Sequence, residues 1–221
     1  MSEPLLLGIA GSPRRGGNSD RVLAACLESA EALGVRTARM VAADLTIGPC
    51  RGCNACSETG ECIQDDGMTD VYRALDAAAA IVIASPVFFA GVPAQLKALI
   101  DRLQPYWARR FVLGQPLARR RPGAVLLVRA GGDPYGFRGA EDTLRSALAV
   151  VGVDIVEVVV VEGVDAPRDA DTHPEAVARA AAVGRHLAAL IGGTDIVRCD
   201  VLKAQPLQEF SRQYVVGQIE R

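Results

Sequence analysis

Short apolar runs alternate with stretches of helical period along most of the 221 residues, and no other feature constrains the fold as tightly. LLLGIA at 5–10, the stretch near 37–41, AIVIAS at 80–85, GAVLLVRA at 123–130 and the run at 155–161 read as strands. Between them lie helical stripes. Asn18 and Ser19 can cap the first, which carries Leu23, Cys26, Leu27 and Ala30 and stops at Gly34. A second spans about 68–78, and a third opens with Pro93 in its first turn and carries Leu96, Leu99, Ile100 and Leu103. A fourth carries Leu144, Ala147, Leu148 and Val151, and the last opens at Pro174. Five strands alternating with five helices predict an α/β fold: a doubly wound, five-stranded parallel sheet in the order 2-1-3-4-5. Uninterrupted apolar strands fit a sheet covered on both faces. Residues 1–190 read as one domain with a cysteine-rich insertion at 44–66 after strand 2, and 191–221 read as a C-terminal extension packed on the domain or on a partner subunit.

Composition narrows the class further. The chain is 50% hydrophobic and 23% charged with a net charge of −2, so it carries no basic excess that would suit nucleic acid as a main partner. Its apolar runs are too short to span a bilayer, and the first lacks the basic flank of a secretion signal, so a cytoplasmic protein is expected.

GSPRRGGNS at 11–19 follows strand 1 and opens a helix. Unpaired amides at a helix N-terminus favour an anion. Ser12, Asn18 and Ser19 add neutral donors, Arg14 or Arg15 adds a charged fork, and Gly16 and Gly17 let the backbone come close. Neither G-x-x-x-x-G-K-[ST] nor G-x-G-x-x-G is present, so the loop fits a terminal monophosphate better than a triphosphate or a dinucleotide. The plainer reading is a glycine- and serine-rich connection.

In the order 2-1-3-4-5 a crevice opens at the carboxyl ends of strands 1 and 3. The loop SPVFFAGVP at 85–93 offers Val87, Phe88 and Phe89 as an apolar wall, with Pro86 and Gly91 shaping the backbone. Across from it, AGGDPYG at 130–136 offers backbone donors at Ala130, Gly131 and Gly132. A planar ring with polar edges on a monophosphate, such as FMN, suits this cleft; the alternative is that the phenylalanines are core under a loop.

Cys50, Cys53, Cys56 and Cys62 have the spacing C-x-x-C-x-x-C-x5-C. Such a run lets thiolates converge on an iron–sulfur cubane, whereas structural zinc sites usually separate their cysteine pairs more widely. Redox-active or vestigial thiols, and zinc, stay open as alternatives. Cys26 and Cys199 read as ordinary small apolar residues or thiols. The cysteine loop follows strand 2, which places it on the rim of the ring pocket. His173 and His186 read as a helix cap and a surface residue, and no protein acid–base triad is needed where a cofactor carries the hard step. Arg109, Arg110 and Arg119–121 read as a solvated loop, with attraction of NADPH phosphates or of an acidic partner as the alternative.

GSPRRGGNS, PCRGCNACSETGECIQDDGM and SPVFFAGVPAQLKALIDR, in that order over about residues 5–190, resemble the iron–sulfur flavoproteins of the NADPH-dependent FMN reductase-like, flavodoxin-like superfamily. The resemblance implies FMN held at its phosphate by Ser12, Arg14, Asn18 and Ser19, with ring contacts from Pro86, Val87, Phe88, Phe89, Gly91, Ala130, Gly131 and Gly132. It also implies a [4Fe-4S] cluster on Cys50, Cys53, Cys56 and Cys62, in a homodimer or homotetramer. The leading expectation is an electron-transfer flavoprotein that takes reducing equivalents from a small redox carrier or NAD(P)H. The alternatives are an NAD(P)H-dependent reductase of flavin, quinones or nitroaromatics with idle cysteines, and a redox sensor with switchable thiols.

Overall fold

The apolar runs form the strands that their composition predicts: β1 (Leu5–Ala10), β2 (Arg36–Val41), β3 (Ala80–Pro86), β4 (Arg121–Arg129) and β5 (Val153–Glu162). All neighbours pair in parallel, in the order β2-β1-β3-β4-β5. The structure is a computed structural model and describes residues 3–166 and 169–192. Most of the C-terminal extension expected at 191–221, Cys199 included, lies outside the described residues.

The helices are α1 (Asn18–Glu31), the single turn α2 (Cys56–Thr59), α3 (Met68–Ala77), α4 (Ala94–Asp101), α5 (Gln104–Phe111), α6 (Arg138–Val150) and α7 (Pro174–Gly192). One face of the sheet is covered by α1 and α7 through Leu23, Leu27, Val183 and Leu187. The other is covered by α3, α4 and α6 through Leu75, Leu96, Leu99 and Leu144. The three central strands are accordingly apolar on both faces. The edge strands β2 and β5 are only partly covered, so β2 (RTARMV) carries polar side chains that a central strand would not tolerate.

Helices α1 and α7 pack closely because Gly184 has no side chain: a Cβ there would lie 1.9 Å from the Cys26 carbonyl oxygen. Ser29 Oγ donates to Ala181 O (2.7 Å) at the same crossing. Four local expectations change. Arg109 and Arg110 lie in the last turn of α5 and not in a solvated loop. Gly17, not Asn18 or Ser19, is the N-cap of α1. Pro93 caps α4 from outside. Arg121 is buried at the start of β4 and does not belong to a solvated loop. No helix among the described residues is long and apolar enough to cross a membrane.

Candidate functional site

The loops after β1, β3 and β4 leave neighbouring carboxyl ends of the sheet, which brings the predicted phosphate and ring residues onto one rim. Gly11 N donates to Ala84 O (2.7 Å) and ties the exit of β1 to β3. Helix α1 starts without a side-chain cap, so amides of its first turn keep their donors. Ser12 is buried, and its Oγ accepts from Arg14 N (3.0 Å), which folds the loop back on itself. Arg14 is exposed, while Arg15 is paired with Asp44 at 2.7 Å. Ser19 is buried in the first turn.

Asn18 is committed elsewhere. Its Nδ2 donates to Ala166 O (3.0 Å) and its Oδ1 accepts from Ala170 N (3.1 Å), so it ties the loop to the segment before α7. Asp20 was not legible as part of this loop. Its Oδ2 accepts from Gly16 N (2.7 Å) and pairs with Arg39 (2.8 Å), fixing the turn from below.

The ring loop is a tight turn closed by Phe88 N to Gly91 O and Gly91 N to Phe88 O, both 2.9 Å. Phe89 (φ 49°) and Ala90 (φ 60°) are both left-handed, a conformation that costs a side-chain-bearing residue about 1–2 kcal/mol. The strain holds Phe89 fully exposed and Phe88 half exposed, so the phenylalanines project from the rim and are not core. Val87 N donates to Val128 O (3.0 Å), and Gly139 at the start of α6 comes close enough that a Cβ would lie 2.7 Å from Ala90 O. Ala130, Gly131 and Gly132 are exposed beside this turn. The uncapped amides, the free Arg14 and the strained turn beside an open glycine loop fit a phosphate-bearing planar ring.

The four cysteines of the insertion line one cavity of about 240 Å³ together with Arg102 and Trp107. Cys50 and Cys53 are exposed, and Cys56 and Cys62 are half-buried. Burial, and then the negative charge of Cys62, Cys50 and Cys53, push the Cys56 thiol up from its ordinary value. Four thiolates this close would repel one another and would be stabilised by a shared cationic centre, so the chemistry of the donor set suits a cluster. The four thiols line this space without being gathered: among the described residues no group of three or more His, Cys, Asp or Glu is placed to hold a metal ion.

The insertion leaves the carboxyl-end rim of the sheet, yet its cavity sits at the far end of α4, whose eight residues span about 12 Å, and not on the rim of the ring pocket as the sequence predicts. What holds it there is Arg102, a residue the sequence reading did not single out. Arg102 is 1% exposed; it donates to Gly48 O (2.8 Å), Gln64 O (3.4 Å) and both oxygens of Asp66 (2.7 and 3.1 Å). Asp66 in turn accepts from Gly48 N and Met68 N, each at 3.0 Å. The signal was an arginine between Leu99 and Leu103, at the end of α4 and in line with its apolar stripe.

Residues 4–165 match the family described as NADPH-dependent FMN reductase. An iron–sulfur flavoprotein of Methanosarcina thermophila is 37% identical over 141 residues, covering 64% of this chain and 69% of that protein. One from Archaeoglobus fulgidus is 34% identical over 148 residues, covering 66% and 64%. The chain thus spans about two thirds of the length of these relatives. An NAD(P)H:quinone oxidoreductase from Methanothermobacter marburgensis has the same fold, with a TM-score of 0.63 at 18% identity, covering 84% of this chain and all of that one. The chain belongs to the NADPH-dependent FMN reductase family and groups within it with the iron–sulfur flavoproteins.

Proposed function

We propose that this flavin-dependent oxidoreductase holds FMN on the rim formed by the loops after β1, β3 and β4 and a [4Fe-4S] cluster in the cysteine cavity. In this reading it takes reducing equivalents from NAD(P)H or a small redox carrier and delivers them to an acceptor. The observation that carries the proposal is that Cys50, Cys53, Cys56 and Cys62 line one cavity in a chain whose rim loops suit a flavin phosphate and ring. When bound, FMN supplies two-electron exchange and the cluster supplies one-electron exchange.

The chain's own residues divide the work. Ser12, Ser19 and the first-turn amides of α1 hold the phosphate with Arg14 as its counter-charge, and Asn18 keeps the loop in place. Pro86 to Phe89, Gly91 and Ala130 to Gly132 bound the ring. Exposed Phe89, Trp107 and Phe111 would be covered in a homodimer or homotetramer. The soluble domain would work in the cytoplasm, where thiols stay reduced.

Anaerobic purification tests this. Iron and acid-labile sulfide near four per chain, with stoichiometric FMN and a brown colour, are expected. Fewer than about one iron per chain after reconstitution would overturn the cluster; rapid NADPH oxidation by such yellow protein would make it a plain reductase.

A further inference from the structure

A second cavity, of about 340 Å³, opens at the amino-terminal rim of the sheet, the end opposite the flavin loops. Arg109, Arg110, Arg119 and Arg121 line it, with Asp76 as its one carboxylate and Tyr106 beside them. Arg121 is 6% exposed and opens β4. Its guanidinium donates to Leu75 O, to Ala78 O (2.9 Å) and to Val151 O (3.0 Å), while its Nε has no partner among the described residues. Arg119 donates to Asp76 O (2.8 Å) and to Ala78 O, Arg110 to Ala149 O (3.3 Å), and Arg109 to Gly60 O (2.7 Å) while stacking over Tyr106. All of these acceptors are neutral carbonyls. Among the described residues, none of the four arginines has a carboxylate within 4.0 Å.

One function of this arrangement is structural, since Arg121 and Arg119 cap the carboxyl ends of α3 and α6. That function leaves charge over. The two helix ends supply about half a negative charge each, and Asp76, bound by Tyr106 Oη at 2.8 Å, supplies one more. Against four guanidinium groups, about two positive charges remain unbalanced around one cavity. Burial, and next the charge of Arg119, push the Arg121 guanidinium down from its ordinary value, against the opposing pull of Tyr106 and Asp76.

We propose that this cavity binds a dianionic phosphate group carried by a small molecule. The excess charge matches a dianion, and the volume falls in the range of small-ligand sites. Arg109, Arg110 and Arg119 retain unspent guanidinium donors for its oxygens, and the forked geometry suits phosphate. Arg109 reaches Gly60 of the cysteine loop, so the test rests on Arg110 and Arg119, whose hydrogen bonds go to the ends of α6 and α3 instead.

The experiment uses FMN-loaded full-length protein, so that the flavin phosphate loop is filled, with inorganic phosphate, pyrophosphate and adenosine 5′-monophosphate as probes in calorimetry at fixed ionic strength. Binding well above that of chloride is expected, and Arg110→Gln or Arg119→Gln should weaken it roughly ten- to a hundred-fold with FMN content unchanged. A preference for inorganic phosphate or pyrophosphate over the nucleotide identifies the free anion as the source; the reverse identifies an organic phosphomonoester. Phenylglyoxal labelling of wild-type protein gives a second readout free of folding effects: the probe that binds should protect Arg110 and Arg119. Binding no better than chloride, absence of protection, or affinity lost in Arg14→Ala but kept in both cavity variants would overturn the proposal.

Discussion

Arg102 Nη1 lies 2.7 Å from Asp66 Oδ2, and this buried ion pair closes the cysteine loop, because the same guanidinium also binds Gly48 O at the loop's other end. The geometry of four thiols is thus set by a cation outside the cysteine motif. Removing the carboxylate should be expensive: Asp66→Asn leaves a buried guanidinium without its counter-ion, and a loss of about 3–5 kcal/mol in urea unfolding is expected. Arg102 also holds the Asp66 carboxyl below the usual carboxylate range. The contribution is therefore complete above about pH 4 and fades as pH falls through the depressed value. Wild type and variant should converge in stability toward low pH; a gap that stays constant with pH refutes the ionic origin.

Burial pushes the Cys26 thiol up to about 12. The folded chain keeps this proton where the unfolded chain loses it, so stability is unaffected below about pH 8.5 and falls by about 1.4 kcal/mol per pH unit from there toward pH 12. In Cys26→Ala the alkaline slope should be shallower by that amount, as pH-dependent denaturation can read.

Gly184→Ala should be the most damaging single methyl in the α1–α7 face. The new Cβ would stand 1.9 Å from a backbone oxygen, and helices cannot separate locally without opening Leu187 and Val183. A loss at or above about 3 kcal/mol is expected. A thermal midpoint equal to that of wild type would disprove the close crossing.

Arg14 is exposed and unpaired with any carboxylate among the described residues, whereas Arg15 is held by Asp44. Arg14→Ala should weaken FMN by roughly ten- to a hundred-fold, the value of a charge-assisted phosphate contact of ~1.5–3 kcal/mol, and leave riboflavin nearly untouched. Fluorescence titration of both flavins checks it; equal losses would remove Arg14 from the phosphate site.

Cys56→Ala removes one thiol from the cavity without touching the rim loops. The variant should keep stoichiometric FMN while iron and sulfide fall after anaerobic reconstitution. Unchanged iron content would show that Cys56 is not a ligand.

The sequence by itself determined the layer architecture, because an apolar run such as AIVIAS can be satisfied only between two helical layers, and it marked the loops at 11–19 and 85–93 because turn chemistry is local. It also grouped the four cysteines, which line one cavity in the fold. It named Asn18 as a cap, a place that Gly17 takes, and could not show that the Asn18 amide binds Ala166 and Ala170, about 150 positions away along the chain. Arg121 read as solvated because a run of three arginines looks like surface, and only the meeting of the ends of α3 and α6 makes its burial favourable. Arg102 likewise acquires its meaning only when α4 carries it against Gly48 and Asp66. Strand and turn preferences are written in neighbouring residues and can be read from them. The partners of a buried charge are chosen by the packing of distant elements, and tertiary structure alone decided which arginines bind the fold together and which remain to bind something else.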